Sequence, residues 1–138
     1  MKNYLLGLFV VIFLFTVLAG CQSKADTPLS YENITEVKVS VSTGFGKVDP
    51  NYFEVYQDPE RLLIFKDLFR NAVEEEGIVD MIEPEYDLEV LCQKENLQGY
   101  HLWVGETGEI STLMKVENTH TIYTVPAEIT AKLIDLLK

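Results

Sequence analysis

Residues 87–125 read DLEVLCQKENLQGYHLWVGETGEISTLMKVENTHTIYTV, and this stretch decides the fold. Four runs within it are rich in β-branched, aromatic and other apolar residues, namely 87–94, 99–104, 109–116 and 119–125. The breaks between the runs, ENLQ, GETG and EN, are short and contain turn-forming residues. Breaks of this kind favour hairpins, so the sequence predicts that neighbouring strands pair in antiparallel fashion.

Two further strands are predicted upstream. The run EVKVSVS at 36–42 places Val37, Val39 and Val41 on one face, which is the pattern of a half-buried strand. A glycine-containing turn, GFGK, follows at 44–47, and NYFEVYQ after it is compatible with a short second strand.

A helix is predicted over residues 58–77, DPERLLIFKDLFRNAVEEEG. Asp58 is suited to cap its first turn, Pro59 fits the first helical position, and Gly77 is suited to end it. Its apolar residues recur at helical spacing: Leu62, Phe65, Leu68, Phe69, Ala72 and Val73.

The C-terminal residues 126–138, PAEITAKLIDLLK, predict a second helix that begins near Pro126. Its buried stripe is expected to comprise Ile129, Leu133, Leu136 and Leu137. Together these elements predict an α+β fold, with an antiparallel sheet of about four to six strands packed against two helices. We expect residues 31–138 to form this single domain.

Residues 1–20 have the anatomy of a secretory signal peptide, with one cation at Lys2 and an apolar run over 4–19. That run is shorter than the roughly 20 residues that a membrane-spanning helix needs. The tetrad Leu18–Cys21 resembles the lipobox of bacterial lipoproteins. The resemblance implies that Cys21 receives a diacylglyceryl group and becomes the first residue of the mature chain.

The polar segment that follows, residues 22–30, reads as a flexible tether, so residues 21–30 form the lipidated N-terminus and its linker. The 138-residue chain has 11 Lys and Arg against 22 Asp and Glu, a net charge of −11, and removal of Lys2 with the signal makes it more negative. Such a surface repels nucleic acid and anionic headgroups. The expected contacts are therefore the membrane, through the lipid on Cys21 alone, and a protein or cell-wall partner.

The most acidic stretch is residues 74–89, EEEGIVDMIEPEYDLE. Its first three acids are expected to end the first helix, and three of the later acids alternate along a strand and so share one solvated face: Glu85, Asp87 and Glu89. The nearest candidates for a metal site are Glu83, Glu85 and Asp87. Calcium needs six to eight converging oxygens, and there is no DxDxDG loop here, so a solvated surface is preferred and no metal or cofactor is expected.

The sequence carries no catalytic signature. The motifs GxSxG, HExxH and CxxC are absent, and GFGK lacks the spacing of a phosphate-binding loop. With Cys21 lipidated, Cys92 has no cysteine to pair with, and it is expected to be a buried, inert thiol beside Leu88 and Val90. We therefore expect a protein without enzymatic activity.

A contact surface is predicted on the sheet. If the helices cover the face with Leu88, Val90, Leu102, Met114 and Ile122, aromatic and polar residues stand together on the opposite face. The candidate partner face comprises His101, Trp103, Leu113 and Tyr123. Two alternatives stay open: another segment covers this patch, or the two faces are exchanged.

The chain resembles the YhfM-like lipoproteins of Bacillus and relatives. The resemblance is carried by Cys21 in its lipobox and by the strings GFGKV, GIVDM, PEYDLEV, YHLWV and STLMKVENTHTIYT, together with the terminal helix. It implies a location on the outer face of the cytoplasmic membrane of a Gram-positive cell, and it implies no catalytic residue. The leading hypothesis is a lipid-anchored extracytoplasmic binding domain; the alternative is an ion- or small-ligand-sensing module that uses residues 74–89.

Overall fold

The computed structural model describes residues 31–76, 80–93 and 96–138. Across these ranges one antiparallel sheet contains seven strands, in the order β2-β1-β4-β5-β6-β7-β3. The strands are β1 (Ile34–Val41), β2 (Tyr52–Tyr56), β3 (Val73–Glu75), β4 (Tyr86–Cys92), β5 (Asn96–Trp103), β6 (Ser111–Lys115) and β7 (Asn118–Val125). The α+β class is as predicted, but the sheet exceeds the expected four to six strands.

The predicted hairpins are confirmed. Strands β4 to β7 pair consecutively and antiparallel, with Leu88 opposite Tyr100 and Leu102 opposite Leu113. Strand β1 adds to the free edge of β4, and β2 pairs with β1 at the edge of the sheet.

Helix α1 (Pro59–Arg70) begins as predicted and ends early. Asp58 caps it by accepting a hydrogen bond from the backbone N–H of Arg61 at 3.0 Å. The predicted extension to 77 is wrong, because the backbone leaves the helix at Asn71 and residues Val73–Glu75 form β3 on the edge of β7. The backbone partners that β7 offers outweigh the helix preference of Ala72 and the glutamates, since tertiary context overrides intrinsic propensity. Gly77 lies outside the described residues.

Helix α2 (Ala127–Leu137) follows Pro126, as predicted. Ile129 and Leu133 are buried, and Leu136 and Leu137 pack partly buried against the same cluster. Both helices cover one face of the sheet. The main core lies between them and this inner face, where Phe65 stacks near Tyr56 and Phe69 near Tyr100, with ring centroids 5.2 and 4.9 Å apart.

Cys92 belongs to this core, beside Leu88 and Val90 as predicted. Burial raises the pKa of its thiol, which keeps it protonated and unreactive near neutral pH.

The outer face of the sheet is also covered. Residues 42–51, which we call the covering segment, connect β1 to β2 across this face. A second connection, residues 80–85, brings Met81 against a small apolar cluster of Trp103, Met114 and Ile122. The sheet therefore has a large core on one side and a smaller one on the other.

Within the described ranges, no helix is long and apolar enough to cross a membrane. The predictions for the signal peptide, for Cys21 and for the tether lie outside the described residues.

Candidate functional site

A buried Asp–His pair lies at the centre of the outer face. Asp87 on β4 and His101 on β5 are cross-strand partners, and both side chains are fully buried. Asp87 Oδ1 and His101 Nδ1 are 2.7 Å apart. Because a carboxylate can only accept, Nδ1 carries the proton of the imidazole and donates it to Asp87.

The covering segment is fastened to this pair by two backbone hydrogen bonds. The N–H of Gly46 donates to His101 Nε2 at 3.2 Å, and the N–H of Asp49 donates to Asp87 Oδ2 at 2.8 Å. A donor that faces Nε2 requires an unprotonated acceptor there, so His101 is neutral with its proton on Nδ1. The pair thus acts as the anchor of the covering segment.

The covering segment has a defined internal conformation. Gly44 and Gly46 have φ values of +124° and +87°, a region that L side chains rarely adopt, which accounts for the glycine turn predicted at 44–47. Asp49 closes the end of the segment, where its carboxylate accepts from the Asn51 N–H at 2.8 Å and from Thr43 Oγ1 at 3.1 Å. The backbone hydrogen bond from Asn51 is the main reason that the pKa of Asp49 is lowered.

Aromatic rings border the pair. The ring of Phe45, in the covering segment, lies 5.7 Å from His101 and 6.1 Å from Trp103, centroid to centroid, and Phe45 is 44% exposed. Trp103 is 7% exposed, and its Nε1–H donates to the carbonyls of Ile82 and Glu83, each at 3.1 Å. Ile82 itself is 80% exposed. Two residues with exposed apolar side chains, Phe45 and Ile82, therefore contact a buried tryptophan. We call them the Phe45–Ile82 surface.

Ser40 extends the polar row onto β1. It is opposite Asp87 and fully buried, and its Oγ has no hydrogen-bond partner among the described residues. Ser40 and His101 are separated by one whole strand, or roughly 9.5 Å across the sheet. The order along the row is Ser–Asp–His, so the histidine cannot act on the serine as it does in a Ser–His–Asp triad.

The predicted partner face is wrong. His101, Trp103, Leu113 and Tyr123 are all buried, and they lie on two different sides of the sheet. Leu113 and Tyr123 face the helices, whereas Met114 and Ile122, which were expected there, join Trp103 on the outer face. Because side chains alternate along a strand, a one-residue error in the assignment of β6 and β7 exchanges their faces.

The predicted ladder of solvated carboxylates is wrong at Asp87 and Glu89, whereas Glu85 is exposed as predicted and precedes β4. Asp87 is enclosed by the covering segment, and Glu85 Oε2 lies 3.6 Å from Nζ of Lys138. Glu89 accepts from Lys38 Nζ at 2.9 Å and from the Tyr52 hydroxyl at 2.8 Å. The metal candidates Glu83, Glu85 and Asp87 do not converge, and in the part of the chain that the structure describes no group of three or more His, Cys, Asp or Glu could hold a metal ion.

Sequence reasoning missed the pairing of Asp87 with His101. Strand β5 begins at Asn96 rather than at Gly99, and this earlier start sets the register that brings the two residues opposite each other. Phe45, Ile82 and Ser40 were missed as well, since no local pattern marks a loop residue or a strand serine that contacts this part of the sheet.

Comparison with known proteins gives a fold relative and a family. The structure is similar to that of a thioesterase-like protein from Clostridium sporogenes, with a TM-score of 0.58 and 16% sequence identity over 75% of this chain and 94% of that one. At this identity the likeness concerns the fold alone. No curated protein matches the chain. The family model described as YhfM protein matches residues 36–138, which include both members of the buried pair and the covering segment. The chain belongs to the YhfM family.

Proposed function

We propose that this protein is a lipid-anchored extracytoplasmic binding domain that contacts a protein or a cell-wall component through the Phe45–Ile82 surface. The observation that carries the proposal is the exposure of Phe45 and Ile82, at 44% and 80%, in two residues that both contact the buried Trp103. Aromatic residues are enriched at protein–protein interfaces relative to the rest of the surface.

The construction of the surface supports a binding role. Phe45 is positioned by the two hydrogen bonds that fasten the covering segment, and Ile82 by the bonds from Trp103 Nε1 to the carbonyls at 82 and 83. A backbone held in place in this way loses little conformational freedom when a partner binds. The net charge of −11 favours a neutral or basic partner over an acidic one.

The membrane location rests on the sequence. The tetrad Leu18–Cys21 follows an apolar run, and two acyl chains on a cysteine would suffice for stable anchoring. The test is Cys21→Ser in the full chain. We expect the variant to be released from the membrane fraction or to stay unprocessed, and a variant of mature size that remains in the membrane fraction would exclude lipid anchoring.

The contact surface is tested by site-directed photo-cross-linking in intact cells. A photo-reactive residue is placed at Ile82 and, as a matched control, at Leu63, which is 51% exposed on α1. We expect a discrete cross-linked product from position 82 alone, with a yield that falls when Phe45→Ala is added. Equal products at both positions, or none at 82, would contradict the proposal.

The ion- or small-ligand-sensing alternative has less support. The acids of residues 74–89 are separated, since Asp87 is enclosed beneath the covering segment and Glu75 accepts from Thr124 at 2.8 Å on the far edge of the sheet.

A second candidate function is thioester hydrolysis. It is favoured by the fold shared with a thioesterase-like protein together with the Asp87–His101 pair. In that reaction the carboxylate would accept a proton from water, which attacks the carbonyl carbon; the C–S bond breaks and yields a carboxylic acid and a thiol. The full burial of both side chains means that the covering segment would have to move first.

The test for hydrolysis is release of free thiol from acyl-coenzyme A substrates by the purified full chain. Turnover that is lost in Asp87→Asn and kept in Glu117→Gln, an exposed acid, would support it. Equal rates for the wild type and Asp87→Asn would exclude it.

A further inference from the structure

We propose that the covering segment is an acid-sensitive latch: protonation of His101 detaches Gly46, loosens the part of the segment that carries Phe45 and uncovers Trp103. The latch itself is a property of the fold. Only its consequence, that acid remodels the Phe45–Ile82 surface and changes partner binding, rests on the proposed function.

The latch depends on the protonation of one atom, His101 Nε2. His101 Nε2 accepts the Gly46 N–H at 3.2 Å, while Nδ1 is already occupied by Asp87 at 2.7 Å. A further proton can therefore only be added at Nε2. The resulting imidazolium is a donor at both nitrogens, so two N–H groups would then face each other where one hydrogen bond had been.

The groups around His101 decide how the proton is tolerated. From β4, Asp87 offers a carboxylate in direct contact, which can stabilise an imidazolium inside the protein. From β6, the cross-strand partner is the uncharged Met114. The covering segment brings Phe45, Lys47 and Asp49, and the 80–85 connection reaches Trp103 through backbone carbonyls. A proton at Nε2 would face the Gly46 N–H, and the lost Gly46 bond is its structural consequence.

The segment is built to open around Gly46 while its Asp49 end stays attached to Asp87. Its closing turn is held by hydrogen bonds from Thr43 and Asn51 to Asp49, and the lowered pKa of Asp49 keeps that carboxylate ionised in mild acid. Near the other end are Gly44 and Gly46, and glycine has more backbone conformations open to it than any other residue. Phe45 lies between these two glycines and moves with them.

The chain supplies its own reporter, because Trp103 is its single tryptophan. The full chain in detergent micelles is titrated from about pH 8 to about pH 4.5, which spans the ordinary range of a histidine. Tryptophan emission and its quenching by acrylamide are recorded. We expect a red shift and at least about a twofold rise in the quenching constant in acid, with far-ultraviolet circular dichroism unchanged.

Two histidine variants provide the matched comparison. In His101→Gln, the amide oxygen can accept from Gly46 and the amide nitrogen can donate to Asp87, and neither group titrates, so the acid transition should vanish. His120→Gln removes the other histidine, which is exposed, and should keep the transition. A wild-type emission that does not change with pH, or the same transition in His101→Gln, would overturn the latch.

A second measurement on the wild type covers the case in which His101→Gln does not fold. Amide hydrogen exchange should show that protection at Gly46 falls about tenfold or more in acid, after correction for intrinsic rates, while Leu102 in the core keeps its protection. Equal changes at both amides would mean general loosening and would also overturn the proposal. These measurements need no partner. They can therefore contradict the latch while cross-linking at Ile82 supports the contact surface, or support the latch while cross-linking contradicts the contact surface.

Discussion

Val48 lies so close to Gly99 that a β-carbon at Gly99 would be 2.7 Å from Val48 Cγ2. The same β-carbon would be 3.2 Å from Cγ2 of Val116. The backbone at Gly99 does not have a positive φ, so glycine is needed there for space and not for conformation. The absence of a side chain on β5 is what lets the covering segment lie directly on the sheet.

Gly99→Ala should therefore loosen the covering segment at neutral pH. The added methyl must displace Val48, and overpacking of this kind typically costs about 1–3 kcal/mol. We expect a lower midpoint in chemical denaturation and a red-shifted Trp103 emission that resembles the acid form of the wild type. The double variant Gly99→Ala with Val48→Ala removes the closer contact, leaves the one with Val116, and should recover most of both signals. Native stability and emission in Gly99→Ala alone would show that Val48 yields easily.

Glu89 should make the free energy of unfolding depend on pH. Burial by itself would raise the pKa of Glu89, but hydrogen bonds from Lys38 and Tyr52 outweigh it and the pKa is lowered. A carboxyl with a lowered folded pKa stabilises the fold above its unfolded pKa, and this contribution is lost as pH falls through the folded pKa. Because Lys38 and Glu89 are partly exposed, the contribution of Glu89 to the free energy of unfolding is about 1 kcal/mol or less.

Denaturation curves at a series of pH values check this. Glu89→Gln should be less stable than the wild type near pH 7, and the difference should shrink in acid, whereas Glu117→Gln should follow the wild type. Burial, then the bond to Glu89, raises the pKa of Tyr52 to about 12. In Glu89→Gln the pKa of Tyr52 should move only partway back, because the larger cause, burial, remains. A difference in unfolding free energy between Glu89→Gln and the wild type that stays constant at all pH values would contradict the role assigned to Glu89.

Ser111 should be a costly residue to truncate. Its hydroxyl donates to the carbonyl of Val104 at 2.6 Å and lies 2.7 Å from the hydroxyl of Thr130, so it joins β6 to α2 inside the core. Ser111→Ala leaves buried polar atoms without this partner, which costs about 1–3 kcal/mol. Chemical denaturation measures the loss, and Thr107→Ala, at an exposed turn position, should change stability little.

Ser40→Ala is expected to act in the opposite direction. The buried hydroxyl of Ser40 has no hydrogen-bond partner among the described residues, so its removal takes away an uncompensated polar group and creates almost no cavity. We expect stability equal to the wild type or up to about 1 kcal/mol higher. A marked loss of stability would show that this hydroxyl has a partner in solution, such as an ordered water molecule.

The features that could be predicted from the sequence are those that neighbouring residues determine. Asp58 capped α1 and short breaks joined β4 to β7, because caps and hairpins depend on a few adjacent positions. Strand β3 could not be predicted, since Val73–Glu75 owe their conformation to β7, far along the chain. The candidate site could not be predicted either, because it too depends on residues far apart in the chain. Asp87 and His101 become an anchor only once the covering segment lies over them.

The strand order carries a consequence for the route by which the chain folds. Strands β4 to β7 are contiguous and can assemble from local hairpins, whereas β1 and β3 both precede them and attach to opposite margins, each pairing residues about fifty positions apart. Long loops close slowly. Strands β4 to β7 should therefore form first, and their backbone amides should be the first to gain protection in pulsed hydrogen exchange. In a chain synthesised from its N-terminus, β1, β2, α1 and β3 must then wait for the later strands before the sheet is complete.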